Sequence, residues 1–468
     1  MLKIENVIIY TLINSQLDYT STDDIMNKKT VMIAVLAVAV IAIAATFAAI
    51  GNGDGGKDDY VAPKNTRLWI FGNANMDDRL DENDMKYLDR ILSGEREPTQ
   101  FADANNDGDV NEKDREYLRK LLDRDPTVRK HYLQDDGKST SYVIGTTKTL
   151  GLKYSTNIYA ASALGCLDIL KMVDDSTLKG IKGGSYGKFL QNQNITTFGS
   201  GTNDEYNFEE MHKSGVDSFL ASSATYYFEG IEDKMTDDIR FNVIRIGIWK
   251  MDDVATGLLT IANLLNNDTY IANAEKYVEF YDKTEKMVSE ATSKISDKKT
   301  LLILAAYKSG TMEVQGPKTG CYETSLKAGL KNLAYDMPGY FETDVDNVLK
   351  KNPDYVFVIS NNAWWDCEQS AIDEEYKGLS KWFAHWDTYE KNRFAFTYWT
   401  FCEGLFTPIM EVMMSQLVYG DLYGDYDVMD EFQKFVDEYL PFNKGLHVGD
   451  EGYRNVKTEG VYLGKALV

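Results

Sequence analysis

From Thr269 to Ser296 the chain carries no Gly or Pro, and apolar residues fall at Ile271, Ala274, Val278, Tyr281, Val288 and Ile295. That spacing predicts one amphipathic helix. At about 1.5 Å per residue it reaches roughly 40 Å, enough to cross a domain. The flanking stretches share one local grammar. Asn207-Phe-Glu-Glu-Met-His-Lys-Ser-Gly-Val-Asp217 leads into the apolar Ser218-Phe-Leu-Ala-Ser222. Val345-Asp-Asn-Val-Leu-Lys-Lys-Asn-Pro-Asp354 leads likewise into Tyr355-Val-Phe-Val-Ile-Ser360. The expectation is an α/β fold of two Rossmann-like lobes, 140–268 and 297–468, joined by a single long helix, 269–296. Alternating strands and helices predict a mainly parallel sheet in each lobe, with ligands beyond the strands' carboxyl ends in the cleft between lobes.

A length of 468 residues with 43% hydrophobic content suits a globular protein of two or three domains. The formal charge of -23 argues against nucleic acid, because phosphate backbones need clustered Lys and Arg. Cys166, Cys321, Cys367 and Cys402 form no CxxC pair and read as buried free thiols, with one or two disulfides open in an extracellular setting.

Residues 1–57 read as an N-terminal extension, a membrane anchor or signal segment, and a linker. Val31 to Ile50 is uncharged, of membrane-spanning length and preceded by Lys28-Lys29, which places everything after Gly51 outside. The expected location is the cell membrane with the bulk of the chain extracellular, or secreted if the segment is cleaved. Met26-Asn-Lys-Lys reads as a natural start, leaving Met1 to Ile25 as an upstream extension.

Residues 65–125 hold an internal repeat with a period of about thirty residues. Asn73, Asn75, Asp77, Arg79, Asp81 and Asp84 occupy positions 1, 3, 5, 7, 9 and 12 of the first copy. Asp103, Asn105, Asp107, Asp109, Asn111 and Asp114 occupy the same positions of the second, and an apolar helical pattern follows each loop. Side-chain oxygens at these positions, with a backbone carbonyl at position 7, can wrap a hard cation; two Ca²⁺ sites are expected. Gly108 allows the turn at position 6, whereas Asp78 stands there in the first loop and makes that site the weaker one. The pair resembles a dockerin, a small all-α module that docks on a cohesin domain. That resemblance implies a cohesin-like partner touching Glu82, Asn83, Glu112 and Lys113.

The segments after residue 140, taken with Ala328-Gly-Leu-Lys-Asn332, Trp382-Phe-Ala-His-Trp-Asp387 and Asn392-Arg-Phe-Ala-Phe396, resemble substrate-binding proteins of ABC importers for iron-siderophores, haem and cobalamin. The resemblance implies two carboxylates that meet arginines of a permease, and by position these are Glu209 and Asp346. It also implies a metal-chelate ligand. Aromatic residues in predicted loops, Tyr186, Tyr226, Trp364, Trp365, Tyr398 and Trp399, are the candidates to pack on it. Beyond residue 140 the arginines are Arg240, Arg245, Arg393 and Arg454, without the clustering a strongly anionic chelate would want. Two other readings stand beside transport: a surface attachment protein for a protein or glycan, and a dockerin-bearing polysaccharide enzyme. No nucleophile, metalloprotease or P-loop motif appears in the sequence, so no catalysis is expected.

Overall fold

A computed structural model describes residues 60–179, 193–202, 205–222, 227–236, 239–249, 251–308, 311–337, 339–360, 369–390, 393–397, 399–440 and 462–463. The expected membrane segment, 31–50, lies outside them; among the described residues no helix is long and apolar enough to cross a membrane.

Two loop–helix units come first. Helix α1 (Glu82–Leu92) starts at Asp81, whose carboxylate accepts the Asn83 N–H at 2.7 Å, while Asp84 accepts the Asp81 N–H at 2.8 Å. Helix α2 (Glu112–Leu122) starts the same way, Asn111 accepting from Lys113 N–H at 3.0 Å and Asp114 from Asn111 N–H at 2.8 Å. These reciprocal caps satisfy donors that a helix start leaves open. Met85, Leu88 and Ile91 of α1 pack with Leu118 of α2, so each helix buries the apolar face its spacing predicted.

Strand β1 (Arg129–Leu133) pairs antiparallel with β2 (Thr140–Ile144), and Tyr132 of β1 also bridges Ile70 in the loop–helix module. The fully buried Tyr132 donates its hydroxyl to Val243 O at 3.1 Å and accepts from Arg245 N–H at 2.8 Å. Leu68, Ile70 and Tyr132 share the core of the α/β domain, so the module is welded to the first lobe rather than hung from it.

The first sheet contains β3 (Leu150–Leu152), β4 (Leu170–Val173), β5 (Thr196–Thr197), β6 (Ser218–Ala221) and β7 (Asn242–Arg245), in the order β5-β4-β3-β6-β7. All its pairings are parallel, as the sequence predicted. Helix α3 (Thr156–Leu164) follows β3, and the short α4 (Phe208–Lys213) precedes β6.

The chain leaves this lobe through α5 (Met251–Leu265), turns at Asn266 (φ 60°), and enters α6 (Asp268–Thr292), the predicted long helix. Asn267 caps it, accepting the Thr269 N–H at 2.9 Å. Ala274, Tyr277, Val278, Tyr281, Thr284 and Val288 form its buried stripe, and the helix ends four residues short of the predicted Ser296.

The second sheet contains β8 (Thr300–Lys308), β9 (Thr311–Gln315), β10 (Lys331–Asn332), β11 (Tyr340–Asp344), β12 (Tyr355–Ile359), β13 (Phe394–Thr397) and β14 (Tyr462–Leu463). Its main path is β11-β9-β8-β12-β13-β14, with β10 beside β8. Unlike the first, this sheet is mixed: β9 runs antiparallel to both β8 and β11, and β14 antiparallel to β13. Helix α7 (Gly320–Lys327) follows β9, α8 (Val345–Leu349) follows β11, and α9 (Gln369–Phe383) lies between β12 and β13. Finally α10 (Thr407–Tyr419) and α11 (Val428–Tyr439) return to the strut: Tyr277 of α6 donates to Leu405 O at 2.9 Å and its ring meets Tyr439 edge-on.

The two Asp-ending motifs do the same job in their lobes. Asp217, just before β6, accepts the N–H groups of Lys148 and Thr149 at 2.8 and 2.9 Å, ahead of β3. Asp354, just before β12, accepts Thr300 N–H at 2.9 Å, at the start of β8. Each carboxylate thereby sets the register between two neighbouring parallel strands.

Candidate functional site

At the carboxyl end of β3, Lys153 and Tyr154 face the residues that follow β4. Asp174 is buried and accepts Tyr154 N–H at 3.0 Å, with Lys153 Nζ at 3.3 Å. Burial works against its charge, but Lys153 and the Ser176 and Thr177 hydroxyls hold its carboxyl below the usual range. Tyr154 itself adopts φ 82°, a left-handed backbone that costs a non-glycine residue about 1 kcal/mol or more. That conformation is held by the Asp174 bond and sends the phenol toward the second lobe, where it stands beside Glu403.

Glu403 stands between two short 3₁₀ turns, Trp399–Cys402 and Gly404–Phe406, that connect β13 to α10. It is 6% exposed. From the second sheet Tyr340 brings its hydroxyl to 3.3 Å from Glu403 Oε1. Phenols from both lobes therefore meet on one carboxyl. Burial pushes that carboxyl up to about 7, against the two neighbouring phenols, which favour its charged form. Burial and Glu403 together drive both Tyr154 and Tyr340 well above the ordinary phenol range.

Two glycines bring the backbones close enough for this meeting. Gly404 has φ 58° and donates to Trp249 O at 3.1 Å; a Cβ there would lie 2.8 Å from Ile248 O. A Cβ on Gly320, the first residue of α7, would lie 3.1 Å from Trp249 O and 3.2 Å from Cys402 O. Aromatic rings flank the two phenols: Trp399 lies 5.8 Å from Tyr340, and Tyr227 lies 6.1 Å from Tyr154 between ring centroids. Lys153 Nζ sits 5.3 Å over the Tyr227 ring, and the buried Arg245, at the end of β7, pairs with Glu232 at 2.8 Å. This floor offers hydrogen-bond acceptance, aromatic faces and restricted water, the ingredients of a small-molecule site.

Of the aromatic candidates from the sequence, Trp399 falls at this floor. Tyr186, Tyr226, Trp364, Trp365 and Tyr398 lie outside the described residues. Glu403, Tyr154 and Tyr340 were not singled out by sequence. A single acid inside the apolar Phe401-Cys-Glu-Gly-Leu-Phe406 was the available signal for the first. Glu209 is exposed on α4 and pairs with Lys213 at 2.7 Å; Asp346 is exposed in the first turn of α8. Cys166, Cys321 and Cys402 are buried free thiols, and Cys367 lies outside the described residues.

The two repeated loops agree in part. Position 4 is left-handed in both, at Met76 and Asn106. In the second loop Asp103 accepts from Asp107 N–H at 3.1 Å and Gly108 N–H at 2.8 Å, and Gly108 takes φ 99°. In the first, Asn73 turns inward, donating to Thr66 Oγ1, Leu68 O and Asp77 O. Asp78, in place of the glycine, instead accepts Arg67 N–H at 3.2 Å. Among the described residues no three His, Cys, Asp or Glu side chains converge as a metal centre. The second loop keeps an all-oxygen donor set of Asp103, Asn105, Asp107 and Asp114, which suits a hard cation, and the first departs from it.

Two α/β lobes, joined by a helical strut and meeting on a buried polar floor, make the fold of a periplasmic binding protein. Solved structures share it. A TroA-like periplasmic binding protein, FepB, from Veillonella parvula superposes with a TM-score of 0.55 at 15% identity, covering 66% of this chain and 96% of that one. The molybdate-bound binding protein MolA of Haemophilus influenzae gives 0.53 at 14% identity, covering 66% and 97%. CeuE of Helicobacter pylori with Ni(II) bound gives 0.50 at 15% identity, covering 67% and 99%. No protein-family model and no curated protein sequence matches the chain.

Proposed function

We propose that the chain is the extracellular solute-binding component of an ABC importer, capturing a metal chelate between its lobes and handing it to a membrane permease. The observation that carries this reading is the meeting of Tyr154 and Tyr340, from opposite lobes, on Glu403 beside Trp399. A ligand seated there touches both lobes at once, so its arrival is reported by their relative position. The fold supports the reading, since structural neighbours include a molybdate-bound and a nickel-bound binding protein. Exposed carboxylates Glu209 and Asp346 would be the permease contacts, one from each lobe. Val31 to Ile50 would hold the protein at the membrane.

The calcium-loop module would bind Ca²⁺, more tightly through Asp103, Asn105, Asp107, Asp109, Asn111 and Asp114 than through the first loop. Positions 10 and 11 of each loop, Glu82, Asn83, Glu112 and Lys113, are exposed and available to a cohesin-like partner. Arg119 already braces Glu82, which orients that carboxylate.

Titration of tryptophan fluorescence with ferric siderophores, haem and a corrinoid tests the transport reading. Saturable quenching by one class is expected. Silence across the whole panel, with retention on a cell-wall fraction, would instead favour an attachment protein.

A further inference from the structure

Glu403 is a buried carboxyl that accepts a hydrogen bond from Tyr340 and stands beside the Tyr154 phenol, and among the described residues no Lys or Arg lies within ion-pair distance of it. Among the described residues, Lys153 and Arg245 at the carboxyl edge of the first sheet are committed elsewhere. Lys153 pairs with the buried Asp174 at 3.3 Å. Arg245 pairs with Glu232 at 2.8 Å and donates to the carbonyls of Tyr227 and Phe228. Among the described residues nothing compensates this carboxyl for an entering anion, while a cation would meet it together with the Tyr154, Tyr340 and Trp399 rings.

Resting on the solute-binding reading, we infer that this site selects a metal chelate by charge: it takes a cationic chelate, whose ammonium or other N–H donor group is received by Glu403, and discriminates against anionic ones. The ion pair would form where water is restricted, so its gain is larger than at a surface, and placing a like charge there is correspondingly unfavourable.

The same geometry makes binding depend on pH. Among the described residues, the titratable groups facing Glu403 are Tyr154 after β3, Tyr340 at the start of β11 and Cys321 on α7. Burial raises all three, leaving them neutral through the physiological range and Glu403 as the group that changes charge. Its carboxyl lies at about 7, so a cationic chelate binds more tightly at pH 8 than at pH 6 and expels a proton on binding near neutrality.

The test uses the full chain and one ferric trihydroxamate in three forms: with a terminal ammonium, with that amine acetylated, and with it succinylated. These probes hold the chelate constant and change only charge. We expect the ammonium form to bind at least about tenfold more tightly than the acetylated form, and the succinylated form to be weakest. Glu403→Gln should remove that preference and the pH dependence; Tyr340→Phe, which keeps the carboxyl, should preserve the charge order. Equal binding of all three, or a Glu403→Gln variant that weakens each alike, would overturn the inference and leave solute binding standing. Binding of an anionic catecholate or haem with none of the three probes would do the same. Failure of every chelate would remove both.

Discussion

The hydroxyl of Tyr340 lies 3.3 Å from Glu403 Oε1, and the Tyr154 phenol from the other lobe stands beside the same carboxyl. One side chain thus senses both lobes. It is placed by short turns between β13 and α10, close to the strut, so a change at the ligand floor is felt where the lobes are joined.

Glu403 should also leave a mark on stability. Its folded carboxyl is raised to about 7 from 4.5, so the unfolded chain loses the proton first as pH rises. Stability linked to this group is therefore fully present below about pH 4.5 and is lost as pH climbs through 7. Relative to Glu403→Gln, the wild type should lose on the order of 2–3 kcal/mol between pH 5 and pH 8, read from denaturant melts. Parallel curves for the two proteins would show that the carboxyl is not held as described.

Calcium should raise the melting temperature. At about 100 times the dissociation constant, a site that exists only in the folded state adds roughly 2.7 kcal/mol. Because Ile70 and Tyr132 tie the module into the main core, the gain should appear in the global transition. Asp103→Ala should abolish most of it, since Asp103 organises the second loop through the Asp107 and Gly108 N–H groups. An unchanged melt on adding calcium and then chelator would exclude the ion.

The module's attachment to the strut should be carried by apolar packing rather than by its ion pairs. Arg67 pairs with Asp282 at 2.6 Å and Arg79 with Glu275 at 2.8 Å, both partly exposed on α6. Replacing either arginine by alanine should cost no more than about 1 kcal/mol. Tyr132→Ala should cost about 3–5 kcal/mol, because it empties core volume and strands the Val243 carbonyl and the Arg245 N–H. Equal losses for the arginine and tyrosine variants in urea melts would contradict this ranking.

Ligand binding should move the lobes only slightly. Helix α6 is continuous from Asp268 to Thr292, and α10 and α11 pack along it, so bending it would break backbone hydrogen bonds and repack Tyr277 against Tyr439. Spin labels at the exposed Lys148 and Lys350 should shift by a few ångströms at most on saturation, on the order expected for rocking rather than hinge closure. A change above about 10 Å would contradict the strut, being of the size hinge closure produces.

The parts legible in sequence were those whose cause is local. Helix α6 could be read because its apolar stripe recurs every three or four residues and Asn267 caps it. The loop–helix units could be read because Asp81, Asp84, Asn111 and Asp114 close hydrogen bonds within three positions. The paired motifs ending in Asp217 and Asp354 were visible as a pattern, although their role in locking adjacent strands was not. The mixed second sheet escaped because β9 and β11 look like any short strands until their partners are known.

Sequence alone determined the two α/β halves, the strut between them and the oxygen-rich loops before them, since periodicity and short-range hydrogen bonding act on neighbours along the chain. Tertiary structure decided what those parts become. It welded the loop–helix module to the first lobe through Tyr132, and it brought Tyr340 to Glu403 across sixty-three positions of sequence. Both outcomes depend on which distant surfaces exclude water together. No local pattern encodes that, because the burial that raises Glu403 is supplied by both lobes at once.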